Sequence, residues 1–251
     1  MRLALFSDLH ANLPAFEACL AQARAVGAER FAILGDLVGY GPHPGEVVER
    51  CQELAASGAL VLRGNHDVLE RNPVQTGTTW ADMTAAWTHK QLDDAQREWL
   101  AQLPLTARLE DALLVHASAA APERWGYVDD ERAALRSLEA ATATDPAVRY
   151  VFGGHVHLQT LWYRGAGRDL MPFKPRPGTP IPVGPNRQWL ATIGSVGQPR
   201  DGDPRAAWAL FDSTTRQLTF LRVPYERAPV IAALRSLGLP EVLTGRLETA
   251  R

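Results

Sequence analysis

Residues 148–159, VRYVFGGHVHLQ, hold an apolar run of strand length, two glycines, and two histidines one residue apart. In extended backbone alternate side chains leave on the same side, so His155 and His157 are expected to face one space beyond a buried strand. Taken alone the pair is a weak signal, because seven histidines in 251 residues give about 0.2 such pairs by chance. What surrounds it decides its meaning.

Five more apolar runs end in glycine or a polar residue: RLALFSD (2–8), FAILGD (31–36), ALVLRGN (59–65), ALLVHA (112–117) and WLATIGS (189–195). Helical patterns separate the first three. One spans 13–26 after the cap residue Asn12, and the other spans 45–56 with Val47, Val48, Cys51 and Leu54 on one stripe. This βαβαβ start predicts parallel early strands. Residues 80–103 predict two helices, with Trp80, Met83 and Trp87, then Trp99, Leu100 and Leu103, as core stripes. Further helices are expected near 130–141 and 226–237, with hairpins turned at Glu110-Asp111 and near 213–216. Six of the 18 prolines fall within 171–185 and mark an irregular insertion at about 164–188. The expectation is an α/β fold of mixed sheets covered on both faces, as a single domain over 1–251.

With 46% apolar residues the chain can bury a full core, and a net charge of −2 argues against a broad basic surface for extended nucleic acid. Cys19 and Cys51 fall in helical patterns and are expected to be free, packed thiols. The opening MRLALFSD reads as a first strand, no apolar run approaches the ~18 residues of a membrane span, and a cytoplasmic location is expected.

Open α/β sheets build sites beyond the carboxyl ends of their strands. Here those ends carry Asp8 and His10, then Asp36, then Asn65 and His66, then His116, then His155 and His157. Singly, each has an ordinary reading: a turn aspartate, a loop amide, a satisfied core histidine. Together they place metal-binding residue types at five separate strand ends. Seven donors exceed the needs of one ion that keeps a position open for substrate. Two divalent ions sharing one carboxylate would use them, with metals ~3.5–4 Å apart clamping a phosphoryl group. Mixed imidazole, carboxylate and amide ligation suits Mn, Fe, Zn or Ni better than Mg or Ca, with Mn favoured. A small phosphorylated substrate is the expected partner.

At this point the chain resembles the calcineurin-like metallophosphoesterase superfamily, whose motifs run DxH, GD, GNH[DE], H and GHxH. They are matched by Asp8-Leu9-His10, Gly35-Asp36, Gly64-Asn65-His66-Asp67, His116 and Gly154-His155-Val156-His157. SDLHAN, AWTHKQL and IGSVGQPRDGDPRAAWALFD (193–212) further resemble a bacterial branch of small metallophosphoesterases. The resemblance implies a four-layer α/β/β/α sandwich. It also implies one ion on Asp8, His10, Asp36 and His157, and another on Asp36, Asn65, His116 and His155. His66 would be proton donor to the leaving alkoxide, held by Asp67 or a neighbouring backbone group. The implied activity is hydrolysis of a small phosphodiester or phosphomonoester by a metal-bridging hydroxide. Alternatives are a phosphomonoesterase or nucleotide pyrophosphohydrolase, a non-catalytic scaffold of the same fold, and a metal-dependent exonuclease.

One departure narrows the branch. Protein phosphatases and symmetrical dinucleoside tetraphosphatases of this superfamily carry GDxVDRG, whereas this chain has GDLVGYG, with Gly39 and Tyr40 in place of Asp-Arg. Arg200, in VGQPRDG directly after a strand, is the candidate phosphate contact through its planar fork. Residues 160–205 carry Arg164, Arg168, Lys174, Arg176, Arg187, Arg200 and Arg205 against Asp169, Asp201 and Asp203. A basic insertion tied to strands that end near the donors is expected to overhang the cleft.

Overall fold

The computed structural model describes residues 1–69, 79–165 and 169–251. β1 (Arg2–Phe6) leads through α1 (Leu13–Ala25) to β2 (Arg30–Ile33), and α2 (Pro44–Ala56) leads to β3 (Leu60–Val61). Then follow α3 (Asn65–Leu69), α4 (Trp80–Gln91), α5 (Asp94–Gln102), β4 (Thr106–Leu109), β5 (Ala112–Val115), α6 (Glu131–Thr144) and β6 (Tyr150–Gly153). β7 (Gln159–Arg164), β8 (Leu170–Phe173), β9 (Ile181–Pro182), β10 (Gln188–Ile193), β11 (Ala206–Asp212) and β12 (Gln217–Val223) precede α7 (Arg227–Ser236) and α8 (Glu241–Thr249).

The strands form two six-stranded sheets, ordered β3-β2-β1-β11-β12-β9 and β4-β5-β6-β10-β7-β8. As expected, β1, β2 and β3 are parallel. β5, β6 and β10 are also parallel, and antiparallel neighbours complete both sheets. Leu3 and Leu5 point between the sheets with Phe152, Phe211 and Phe220, while Ala4 and Phe6 point outward against α1 with Phe16 and Trp208. A strand buried on both faces must be apolar throughout, which is why 2–6 lacks polar alternation. Leu138 and Ala134 of α6 cover Val151 and Leu190 on the far face. The layers are therefore helix, sheet, sheet, helix. Phe152, 1% exposed between the sheets, would cost ~3–5 kcal/mol to truncate to alanine.

Two expectations need correction. The strand at 59–65 is short, and Asn65 opens α3 instead of ending the strand. Met83 is 51% exposed and Trp87 is half-buried, while Trp80, also half-buried, does pack against the core cluster of Tyr40, Val230 and Leu243. α4 instead buries Thr84, Ala85 and Thr88 and packs on α2, where a small-residue face allows close approach. Among its described residues the insertion carries two short strands within otherwise irregular chain: β8 pairs with β7 in the second sheet and β9 with β12 in the first. Pro172 and Pro182 sit in edge strands, where a missing N–H costs least. Beneath the insertion is a cavity of about 460 Å³ bounded by Thr160, Trp162, Pro172, Phe173 and Arg222, and none of the expected metal donors lines it. The expected overhang of the metal cleft therefore has no support from this cavity. Arg168 lies outside the described residues.

Candidate metal centre

Asp8 and His10 lie in the loop after β1, Asp36 after β2, His116 after β5, and His155 and His157 after β6. All six are buried, and Asn65 is half-buried beside them. Five of the seven expected ligands, Asp8, His10, Asp36, His155 and His157, have positive φ, between 45° and 67°. Backbone held in this sparsely populated region for non-glycine residues is a mark of functional sites. Asp8 is held in place by its own backbone amide, which donates to the Gly35 carbonyl at 3.0 Å, and by the His155 amide, which donates to its carboxylate at 3.0 Å.

Among the described residues, three donor groups have ligand atoms within 4.8 Å of one another: Asp8, His10 and His157; His10, Asp36 and His66; Asp36, His116 and His155. Asp36 Oδ1 accepts from the His66 amide at 2.8 Å. Its Oδ2 lies 3.7 Å from His10 Nε2 and 3.4 Å from His116 Nε2.

The ring nitrogens test whether a cation fits. His10 Nδ1 donates to the Val38 carbonyl at 3.2 Å and His157 Nδ1 to the Gln198 carbonyl at 2.6 Å. A carbonyl only accepts, so in the neutral rings both Nε2 atoms present lone pairs, and they face each other at 3.0 Å. His116 repeats the pattern: Nδ1 donates to Leu34 at 2.7 Å, while Nε2 faces Asn65 Oδ1 at 3.2 Å and Asp36 Oδ2. His155 Nε2 is buried without any hydrogen-bond partner. Converging lone pairs are stable only with positive charge among them, and this donor chemistry fits divalent metal.

Protons respond to the same crowding. Burial opposes ionisation of Asp8 and Asp36, yet neighbouring imidazoles, His157 for Asp8 and His116 for Asp36, hold both carboxyls well below the usual range. Burial also works against charge on His116, but Asp36 and then Asp8 outweigh it and push its pKa up to about 9. Burial pulls His10 and His66 down, and His155 down to about 4.

His66 stands over Gly39, where a Cβ would lie 2.6 Å from His66 Nδ1, so a glycine at this position makes room for this ring. Its other neighbours are Tyr40, at 4.3 Å between ring centres, and His10 at 5.1 Å. Asp67 has a different place from the one expected. Its carboxylate accepts from the backbone amides of Gly64, Leu37, Asp36 and Val38 at 2.7–3.3 Å, so it shapes the Asp36 loop instead of holding the His66 ring. Burial and the Asp36 charge push Asp67 up to about 7, against the pull of those amides.

Four contributors escaped the motif pattern. Tyr127 stacks on His155 at 4.2 Å, and Trp125 meets the edge of His116 at 5.8 Å. Gln198 orients His157 through its carbonyl, and Arg246 of α8 approaches Arg200 around the Gln198 side chain. The signal for α8 was Leu243 and Leu247 four apart, weakened by Gly245 between them. Arg200 itself is half-buried, 5.9 Å from the Tyr40 ring centre.

A metallophosphoesterase from Sphaerobacter thermophilus shares 34% identity and a TM-score of 0.83, with 100% of this chain and 99% of that one covered. The uncharacterised protein MJ0912 of Methanocaldococcus jannaschii is 29% identical over 258 residues, covering 99% of this chain and 98% of its own. Phosphodiesterase YfcE of Escherichia coli K12 is 26% identical over 221 residues, covering 85% of this chain and 88% of its own. The model of the calcineurin-like phosphoesterase superfamily domain matches residues 1–216, more than half of the sequence, and the chain belongs to that superfamily.

Proposed function

We propose that this protein is a metal-dependent hydrolase of small phosphodiesters or phosphomonoesters. One divalent ion would sit on Asp8, His10, Asp36 and His157, and a second on Asp36, Asn65, His116 and His155. The observation that carries the reading is Asp36 Oδ2, which lies between His10 Nε2 and His116 Nε2 and belongs to donor groups on both sides. The kinship with a phosphodiesterase and a metallophosphoesterase supports the same chemistry.

A divalent transition metal held by these residues, with Mn favoured, would polarise a phosphoryl group and make hydroxide available near neutral pH. The chain's own residues do the rest. Backbone carbonyls of Val38, Leu34 and Gln198 fix the tautomers of His10, His116 and His157, so every Nε2 is offered inward. His66 donates a proton to the departing alkoxide from Nδ1 or Nε2. Burial favours its neutral form, and an anionic phosphoester beside it restores the charged one. Asp67 holds the Asp36 loop in register through four amides, and Arg200 steadies the phosphate or its second ester group.

Hydrolysis of bis(p-nitrophenyl) phosphate tests the reading. Chelation should abolish it and Mn²⁺ should restore it, with two ions bound per chain by mass spectrometry. Full activity after chelation defeats the metal assignment, and a single bound ion at full activity defeats the shared carboxylate.

A further inference from the structure

Arg200 follows β10, whereas Arg246 lies 46 residues later on α8, yet their guanidinium groups meet at one neutral atom. Arg200 Nη2 donates to Gln198 Oε1 at 2.9 Å and Arg246 Nη1 donates to the same oxygen at 3.2 Å. Arg246 lies 4.6 Å over the Trp80 ring, and Trp80 packs at 5.3 Å on Tyr40, which also faces Arg200. Two cations sharing a neutral acceptor repel each other. Burial, and then the Arg200 charge, pull the Arg246 pKa below its usual value.

Among the described residues neither arginine has a carboxylate partner. The acids adjacent to Arg200 are committed elsewhere, Asp201 to Arg222 and Asp203 to Arg205. The pair is also one ring from the chemistry, because Tyr40 touches His10 at 4.5 Å and His66 at 4.3 Å. Gln198 joins both regions through its carbonyl on His157 and its side chain on the arginines. An unneutralised guanidinium pair, braced on aromatic faces beside a metal centre, matches the oxygens of a second phosphate.

We propose that Arg200 and Arg246 form a second phosphate subsite, which makes a phosphoanhydride of two nucleoside monophosphates a better substrate than a simple diester. This deepens, and rests on, the hydrolase reading. One phosphate occupies the metal donors and its neighbour occupies the guanidinium pair. Cleavage consumes one water: its oxygen bonds to the first phosphorus, the bridging P–O bond breaks, and the departing monophosphate keeps the electron pair. The two protons released pass to solvent.

The test compares diadenosine diphosphate with bis(p-nitrophenyl) phosphate on the Mn-loaded full chain. Loss of one charge-assisted contact in Arg246→Gln should lower kcat/KM for the anhydride about 10–100-fold more than for the diester, mainly through KM. Arg246→Lys, which keeps the charge and loses the fork, should fall between, and it carries the comparison alone if Arg246→Gln does not fold. Equal losses on both substrates, or none, overturn the subsite. Calorimetry with methylenediphosphonate separates the two ideas. If no phosphoester is hydrolysed but diphosphonate affinity still drops in Arg246→Gln, the hydrolase reading falls and the subsite stands. Diester turnover with diphosphonate affinity indifferent to Arg246 overturns the subsite alone.

Discussion

A Cβ built on Gly154 would lie 1.9 Å from Ser7 Oγ and 2.4 Å from Asp8 Oδ2, whereas one built on Gly184 meets nothing within 4 Å. The first glycine belongs to the donor end of the sheets and the second to the insertion at their edge. At the donor end, side chains are buried, positive φ recurs, and even Asp67 is saturated by backbone donors. Along the insertion, Met171 and Phe173 are 48% and 44% exposed, and Gly165 and Gly178 also have open space around them. The contrast teaches that this fold spends its rigidity on aiming ligand atoms and leaves slack where it only closes a sheet.

The largest consequence should come from Asp36→Ala, which takes a donor from both proposed ions at once. Turnover should fall at least on the order of 10⁴-fold, beyond what one proton transfer supplies, with loss of bound metal by mass spectrometry. Retained metal and activity would show that the donor end tolerates what the insertion edge tolerates. Next, His66→Ala should keep its metal while kcat for alkyl esters drops on the order of 10²–10⁴-fold. Nitrophenyl esters, whose phenolate leaves unaided, should lose less, and equal losses would remove His66 from proton transfer.

Gly154→Ala should displace Asp8 and weaken metal binding about 10–100-fold, as disturbance of a ligand's supports does. Unchanged affinity would mean that this end is looser than its geometry. Protons give a fourth measure. His116 has its pKa raised to about 9, so its stabilising charge is fully present below pH 6.5 and is lost as pH rises through 9. The downward shifts of His10, His66 and His155 act mainly below pH 6.5, whereas Asp67, raised to about 7, finishes losing its proton inside the window and adds to the loss with the same sign. Metal-free protein should therefore lose about 1–3 kcal/mol between pH 6.5 and 9, seen as a falling Tm, while Mn-loaded protein should not. A flat Tm in the metal-free form would count against the buried charge. Last and smallest, Gly184→Ala should change stability by no more than about 0.5 kcal/mol in a denaturant melt. A larger loss would remove the contrast between the two regions.

Legibility in the sequence follows the range of the forces involved. The parallel start, the two later hairpins and the donor set were visible because strand alternation, helical stripes and motif spacing are local. The strands of the insertion were hidden by proline, which local pattern counts against a strand and an edge position tolerates. Met83 was misjudged because a helical stripe says which side chains share a face, not which face the rest of the molecule covers.

The amino-acid sequence by itself determined the family, the layered α/β architecture and the residue types that converge at the strand ends, since these depend on chemical identity and short-range periodicity. Only the tertiary structure decided which nitrogen of each histidine faces inward, what Asp67 holds, and that Arg246 joins Arg200. His157 meets a carbonyl 41 residues away, His116 one 82 residues away, and Arg246 an amide oxygen 48 residues away. Contacts at such separation form only when the packed sheets bring the loops together, and no local pattern carries them.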